Sequence, residues 1–296
     1  LKPALLAGTV VAAFGRSYEV RLDGEDGERL SCLPRGKRSE VACGDRVAVA
    51  RTGTGQGVIE AIDPRSALLW RSDAFRQKLI AANVTQIVIV LAVWPAWYEE
   101  LLNRCLAAAE HAGIGAVIVL NKFDLPEAAA VLDDLADYGR LGYTLLPLAA
   151  TDSVTALRER LDGHTSVLVG QSGMGKSTIV NALVPEARAA VGEVSEWLVS
   201  GRHTTTHARL YALDARTRLI DSPGLQAFGL AHLSQTDLDH AFVEFRQLIG
   251  HCRFANCRHA DEPGCAIAAG ADRGEIAPRR LAAYRAILGT LGAPTG

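Results

Sequence analysis

The run SVLVGQSGMGKSTIVN, residues 166–181, carries side chains and a backbone suited to gripping a polyphosphate. Gly170, Gly175, Lys176 and Ser177 fit G-x-x-x-x-G-K-[ST], with Gln171, Ser172, Gly173 and Met174 between them and Thr178 after. Glycine at 170, 173 and 175 lets successive N–H groups curl inward at phosphate oxygens. A helix beginning at Lys176 would add its positive end to the same anion. Lys176 can reach the β- and γ-phosphates as a binding and catalytic cation, and the Ser177 hydroxyl can ligate Mg²⁺.

Three other clusters could complete a nucleotide site. Asn121-Lys122-Phe123-Asp124 directly follows the apolar run GAVIVLN. A carboxylate at 124 can accept from both N1–H and the 2-amino group of guanine, a donor pair adenine lacks. The wrong base would then leave a polar group unpaired. Asn121 would brace neighbouring loops, and the Lys122 stem would cover the base. Leu148-Ala149-Ala150 offers small residues whose N–H groups could meet the guanine 6-oxo group. The stretch GRHTTTH, 201–207, supplies hydroxyls for the Mg²⁺ shell; Thr205 is the choice, with Thr204 and Thr206 as rivals. In Asp221-Ser222-Pro223-Gly224, Asp221 would hold Mg²⁺ through water and the Gly224 N–H would sense the γ-phosphate.

A separate chemistry sits near the end of the chain. Cys252, Cys257, His259 and Cys265 form C-x4-C-x-H-x5-C, a donor set for tetrahedral, closed, structural Zn²⁺. His251 is a competing ligand, less easily fitted beside Cys252. The other three of the six cysteines, Cys32, Cys43 and Cys105, are scattered, which points to a reducing compartment with one metal site rather than a disulfide framework.

The positioning elements read as an α/β protein in three parts. Residues 1–66 alternate apolar and polar around Gly-rich turns, giving four or five strands of an OB-like β-barrel. The basic residues Arg35, Lys37 and Arg38 cluster in one loop of it, either as an RNA contact or as a plain solvated loop. Residues 67–234 alternate strand and helix. Strands are expected at 87–93, 115–121 and 143–148, and helices at 96–112, 127–138 and 154–161. Such a pattern builds a mostly parallel sheet covered on both faces, with ligands beyond the carboxyl ends of its strands. Residues 235–296 form a metal-bearing unit flanked by helices at 238–248 and 277–288. Seven Arg against four Asp/Glu between 246 and 285 could face RNA or simply water.

Composition excludes little else. The chain of 296 residues is 49% hydrophobic, 22% charged and carries a net charge of −2, so any nucleic-acid surface must be a local patch. No apolar run approaches a membrane span of ~20 residues. No signal-peptide pattern opens the chain, so a cytoplasmic location is expected. It begins with Leu1 rather than Met, so further native residues before it are expected.

The nucleotide motifs resemble the GTPase set in rotated order, with NKFD ahead of GQSGMGKST, GRHTTT and DSPG. That order is similar to the circularly permuted GTPases, and with the barrel and the Cys/His cluster the chain resembles the ribosome small-subunit-dependent GTPase family (RsgA, also called YjeQ). The resemblance implies GTP as substrate with Mg²⁺, one zinc ion, hydrolysis stimulated by the 30S subunit, contact with 16S rRNA through the flanking domains, and a role in late small-subunit maturation. A monomer without membrane contact is expected. Two other roles fit the same motifs: a permuted GTPase of large-subunit assembly, and an RNA-binding adaptor that uses GTP only for folding. ATP hydrolysis is disfavoured by Asp124.

Ras-like enzymes orient the attacking water with a Gln just after the DxxG glycine. Leu225 stands there and cannot hydrogen-bond water. Slow intrinsic turnover follows, with His232 as the candidate catalytic group. Gln226, ribosomal RNA or a reshaped Thr loop are alternatives.

Overall fold

The first five strands are β1 (Leu5–Phe14), β2 (Ser17–Leu22), β3 (Arg29–Pro34), β4 (Arg46–Gly53) and β5 (Gln56–Ile62); buried and less buried side chains alternate along β2 and β3, while five successive residues of β1 are buried. Their order is β1-β2-β3-β5-β4, and β4 pairs back onto β1, so the sheet closes into a barrel with a parallel β3–β5 contact. Val10, Val20, Leu30, Val47, Val49 and Ile59 fill it. The protein is described by a computed structural model covering residues 4–24, 27–36, 41–73, 76–185, 208–222 and 229–291. Lys37 and Arg38 of the basic loop lie outside the described residues, while Arg35 pairs with Glu60 of the barrel wall at 2.5 Å.

A hairpin, β6 (Leu68–Asp73) with β7 (Arg76–Ala82), follows the barrel. Sequence reasoning gave no strands here, because the connecting Ala74 and Phe75 are not turn-forming residues. Barrel and hairpin are tied at Gly44, where a Cβ would come within 2.3 Å of the Ala82 carbonyl. Beside it, the fully buried Asp45 takes both arms of Arg65, at 2.7 and 2.8 Å.

Through an antiparallel contact of β1 with β12 (Arg209–Ala212), the barrel continues into a sheet that runs β12, β13 (Arg218–Asp221), β11 (Thr165–Val169), β8 (Gln86–Ala92), β9 (Gly115–Asn121), β10 (Thr144–Leu148), all parallel except β12. Every residue of β8 is buried, as expected for a strand covered on both faces. Helix α1 (Glu99–Ala112) covers one face. It starts three residues after the expected position, because Pro95 lies in the preceding loop against Gly173. The helix expected at 127–138 is two, α2 (Ala128–Asp134) and α3 (Ala136–Arg140), with Leu135 capping one and opening the next. Helices α4 (Thr155–Leu161) and α5 (Lys176–Leu183) cover the opposite face, where Leu157, Leu161, Ile179 and Val180 pack on Val88 and Val90 of β8.

The tail packs on α1. Its first helix, α6 (Gln235–Ala241), opens on a Ser234–Asp237 capping box and stops at Phe242. Phe242 turns extended so that its ring meets Tyr284 edge-on at 5.3 Å, and a 3-10 turn (Val243–Phe245) follows in place of the longer helix expected at 238–248. Helices α7 (Ala266–Asp272) and α8 (Pro278–Leu288) close the unit.

Arg280 of α8 joins tail to sheet domain. It is 1% exposed, sits 2.6 Å from Glu244 and 4.3 Å over the Phe242 ring, and donates to Asn103 of α1. Its removal would strand the buried Glu244 carboxylate. Arg280→Ala is therefore expected to cost roughly 3–5 kcal/mol in denaturant unfolding; a loss below 1 kcal/mol would contradict this reading. Most of the arginine excess seen in the sequence is engaged within the protein. Arg246 faces Glu110, Arg273 faces Glu275, Arg279 faces Asp134 and Asp137, and Arg285 donates to the carbonyls of His259 and Ala260.

Candidate nucleotide site and metal centre

Because β8, β9, β10, β11 and β13 are parallel, their carboxyl ends share one rim. Asn121 lies opposite Ala92 and Leu148, Val169 opposite Ile89, and Asp221 opposite Leu168. The reshuffled motifs meet there.

The glycine loop has the shape its residues suggest. Gly170, Gly173 and Gly175 have φ of 150°, 83° and 90°. A Cβ at 170 would stand 2.3 Å from the Val90 carbonyl, and one at 175 only 2.2 Å from Asn121 Nδ2. Glycine is required at both. Met174 is fully buried and anchors the loop, while Ser177 and Thr178 are exposed on the first turn of α5. The Lys176 ammonium donates to the carbonyls of Gly170 and Gln171 at 2.6 and 2.7 Å, so it rests on the loop it serves. Burial lowers the Lys176 pKa, against the pull of Asp221; burial raises the Asp221 pKa, against the pull of Lys176. A bound Mg²⁺-phosphate would supply what each lacks.

Asn121 is the brace between loops. Its Nδ2 donates to the Met174 carbonyl at 2.9 Å, and its Oδ1 accepts from the Ala150 N–H at 3.1 Å. Ala150 is thus occupied by the brace, and Ala149 carries the turn by accepting from the N–H groups of Asp152 and Ser153. Thr151, the next residue, was missed in the sequence and lines the cavity. Asn121, Lys122, Asp124, Ala150, Thr151, Gly175 and Thr178 surround one open cleft of about 210 Å³. Asp124 and the end of the glycine loop therefore open onto the same space. Phe123 turns inward, its N–H donating to the Leu148 carbonyl. Lys122, with φ of 59°, reaches the Trp94 carbonyl at 2.7 Å. The loop after β8 is a second element the sequence did not flag, since the Tyr98 N–H also donates to Gln171 Oε1 at 3.0 Å.

Thr204, Thr205, Thr206, Gly224, Leu225 and Gln226 lie outside the described residues. His232 does not join the cluster. Its ring lies 5.7 Å from His111 and 6.2 Å from Trp70, at the far end of α1 from Tyr98. A helix of 14 residues separates the two ends by about 20 Å. Burial, then His111, lower the His232 pKa, with Asp237 opposing.

The four metal-ligand candidates do come together. Ligand atoms of Cys252, Cys257, His259 and Cys265 all lie within 4.8 Å of one another. His259 Nδ1 faces Cys252 Sγ at 3.6 Å and Cys265 Sγ at 3.5 Å, while Nε2 faces Asp239 at 3.6 Å, and Tyr284 donates to that carboxylate. Such a carboxylate behind a histidine fixes the ring for metal binding. N–H groups of Ala266 and Ala268 point at the sulfurs of Cys252 and Cys265, at 3.3 and 3.4 Å, as thiolates prefer. The donor set fits a closed tetrahedral ion. Asp239 lies too far along the chain for any spacing rule to find it.

The family described as RsgA GTPase matches residues 62–231, more than half of the chain. The chain belongs to the RsgA GTPase family. Its relatives include the small ribosomal subunit biogenesis GTPase RsgA of Nitrosospira multiformis, 54% identical over 287 residues, which are 97% of this chain and 91% of that protein. The Burkholderia pseudomallei protein of the same name is 54% identical over 282 residues, 94% of this chain and 90% of that one. Among solved structures, YjeQ from Thermotoga maritima superposes with a TM-score of 0.74 at 29% identity, covering 98% of this chain and 99% of its own. YloQ, described as a circularly permuted GTPase, superposes with a TM-score of 0.70 at 24% identity over 97% of this chain and 94% of that one. This RsgA-family chain is a GTP-hydrolysing enzyme whose nucleotide motifs run in permuted order along an otherwise ordinary parallel sheet.

Proposed function

We infer that this protein is a GTP hydrolase of small-subunit biogenesis, stimulated by the 30S particle and leaving it after hydrolysis. The observation that supports this most is the single cleft shared by Asp124, Lys122, Gly175 and Thr178, in a chain 54% identical to proteins named for that process. Asp124 reads the guanine edge, Lys122 covers the base, and a backbone N–H of the turn at Ala149 and Ala150, beside Thr151 in the cleft, would meet the 6-oxo group. The loop from Gly170 to Thr178 cradles the phosphates, with Lys176 on the β/γ oxygens. Ser177, Thr205 and Asp221 would hold Mg²⁺, which withdraws charge from the γ-phosphate when bound. Gly224 senses that phosphate.

Three units carry the role: the barrel at 1–66 and the zinc unit at 235–296 contact 16S rRNA, and the GTPase unit at 67–234 governs their grip. Zn²⁺ is the ion for the Cys3His cluster, in a structural part. A cytoplasmic monomer suits this work, and among the described residues no helix is long and apolar enough to cross a membrane.

Water orientation falls to His232 once the subunit is bound, which requires the ring to leave His111 and Trp70. GTP turnover titrated with purified 30S subunits tests the proposal. Stimulation by 30S and not by 50S is expected; none, or equal stimulation by both, would contradict it. His232→Ala should lower the stimulated kcat by about 10²–10⁴-fold and leave the unstimulated rate nearly unchanged. Undiminished stimulated turnover would remove His232 from the mechanism.

A further inference from the structure

The loop between the first two cysteine ligands has no task in holding the metal, yet its side chains face outward. His251, Arg253, Phe254, Ala255, Asn256 and Arg258 are all exposed, while Cys257 and His259, on either side of Arg258, are buried. Phe254 is 41% exposed, one of few large apolar side chains to be so among the described residues. The Arg253 guanidinium lies 5.4 Å from its ring centroid.

The backbone under these side chains is fixed. Cys252 and Cys257 tie both ends of the loop to the metal cluster. The Cys257 N–H donates to the Phe254 carbonyl at 3.2 Å, and the Arg253 N–H to the Gly264 carbonyl at 3.0 Å. The Arg258 N–H donates to Glu262 at 2.9 Å. Gly264, at φ 77°, approaches so closely that a Cβ there would meet Arg253 Cβ at 2.9 Å. An exposed ring on so fixed a backbone is presented at little cost in ordering.

Charge selects the partner. Arg246, Arg273, Arg279 and Arg280 of the tail face carboxylates, and Arg285 holds two carbonyls. Arg253 and Arg258 face no carboxylate among the described residues, and Glu262, the acid nearest in sequence, is occupied by the N–H groups of Arg258 and Ala260. An aromatic ring with one face under Arg253, and with two guanidinium groups nearby that face no carboxylate, matches an unpaired nucleic-acid base on its other face with a phosphate on either side.

We propose that the loop from Cys252 to Arg258 is a stacking platform for an unpaired RNA base, with Phe254 against the base and Arg253 and Arg258 on flanking phosphates. This rests on the reading of the chain as a small-subunit factor and names the contact made by its metal-bearing unit.

The test uses the full chain and a fluorescein-labelled oligouridylate, with an RNA duplex of equal length as comparison. Phe254→Leu keeps apolar bulk and removes the π-face. It should weaken oligouridylate binding by about 5–100-fold, and Phe254→Trp should retain it. Arg253→Ala and Arg258→Ala should each reduce the slope of log affinity against log salt by about 0.7. Zinc content and unstimulated GTP turnover should be unchanged in all four.

Unchanged oligouridylate binding by Phe254→Leu would overturn the proposal. So would an equal loss on duplex RNA, since a duplex offers no splayed base. Weaker 30S binding with unchanged oligouridylate binding would assign the loop to a ribosomal protein and overturn it as well. If wild-type protein is stimulated by 30S and Phe254→Leu reaches half-stimulation at the same subunit concentration with unchanged RNA binding, only the platform fails. No stimulation of wild type defeats the underlying reading.

Discussion

Replacing Asp124 by Asn is expected to lower affinity for GTP by about 10²–10⁴-fold and to transfer preference to XTP. Each hydrogen bond from the guanine N1–H and 2-amino group to an ionised carboxylate contributes about 1.5–3 kcal/mol. The amide of Asn accepts at one atom only and sets its NH₂ against a guanine donor. Xanthine carries a 2-oxo group, which that NH₂ can meet. Asp124 is exposed at the mouth of the cleft in the nucleotide-free protein, so the lower part of the range is the better expectation. Asn121, Gly175 and Thr178 line the same cleft and are untouched by the change, so XTP binding should recover most of the loss. Competition between a fluorescent GTP analogue and unlabelled GTP or XTP measures both effects. Unchanged GTP affinity would mean the base is read elsewhere.

Cys257→Ser should remove the bound metal and unfold the tail. Structural zinc contributes about 10–16 kcal/mol to small metal-dependent folds, more than the core of a short helical unit can replace. Burial pushes the Cys257 thiol up to about 12, so without a cation this sulfur stays protonated at neutral pH. A metal must displace that proton, and apparent metal affinity therefore falls as pH falls. Loss of the metal also loosens the seat of α8, whose Arg285 donates to the His259 carbonyl at 2.9 Å. Metal analysis should find one zinc per wild-type chain and none in the variant, with a separate low-temperature unfolding step for the tail. A variant that melts as wild type does would show that the cluster holds no structural ion.

The sheet and its motifs were legible because short-range rules govern them. Val88, Ile89 and Val90 belong to a short, β-branched apolar run of the length a strand buried on both faces takes, and the glycine loop is written in consecutive residues. The cysteine ligands were legible for the same reason. What escaped depends on contacts distant in sequence. Tyr98 reaches Gln171, Lys122 reaches Trp94, and Asp239 stands behind His259. The break after Ala241 reflects the pull of Phe242 toward Tyr284, a tertiary contact that outweighs helical periodicity. The tail arginines misled by count alone, since charge totals do not reveal that Arg280 is buried against Glu244 and Asn103. His232 lies near Asp221 in sequence, yet it packs beside His111.

At the centre stands one claim, that occupancy of a single guanine-nucleotide site sets how tightly this protein holds the small ribosomal subunit. Equilibrium binding of the full chain to purified 30S particles, with a non-hydrolysable GTP analogue in one arm and GDP in the other, addresses it most directly. Tighter binding by at least about tenfold with the analogue is the expected result, a difference of about 1.4 kcal/mol between the two states. Equal affinity in both arms would contradict it.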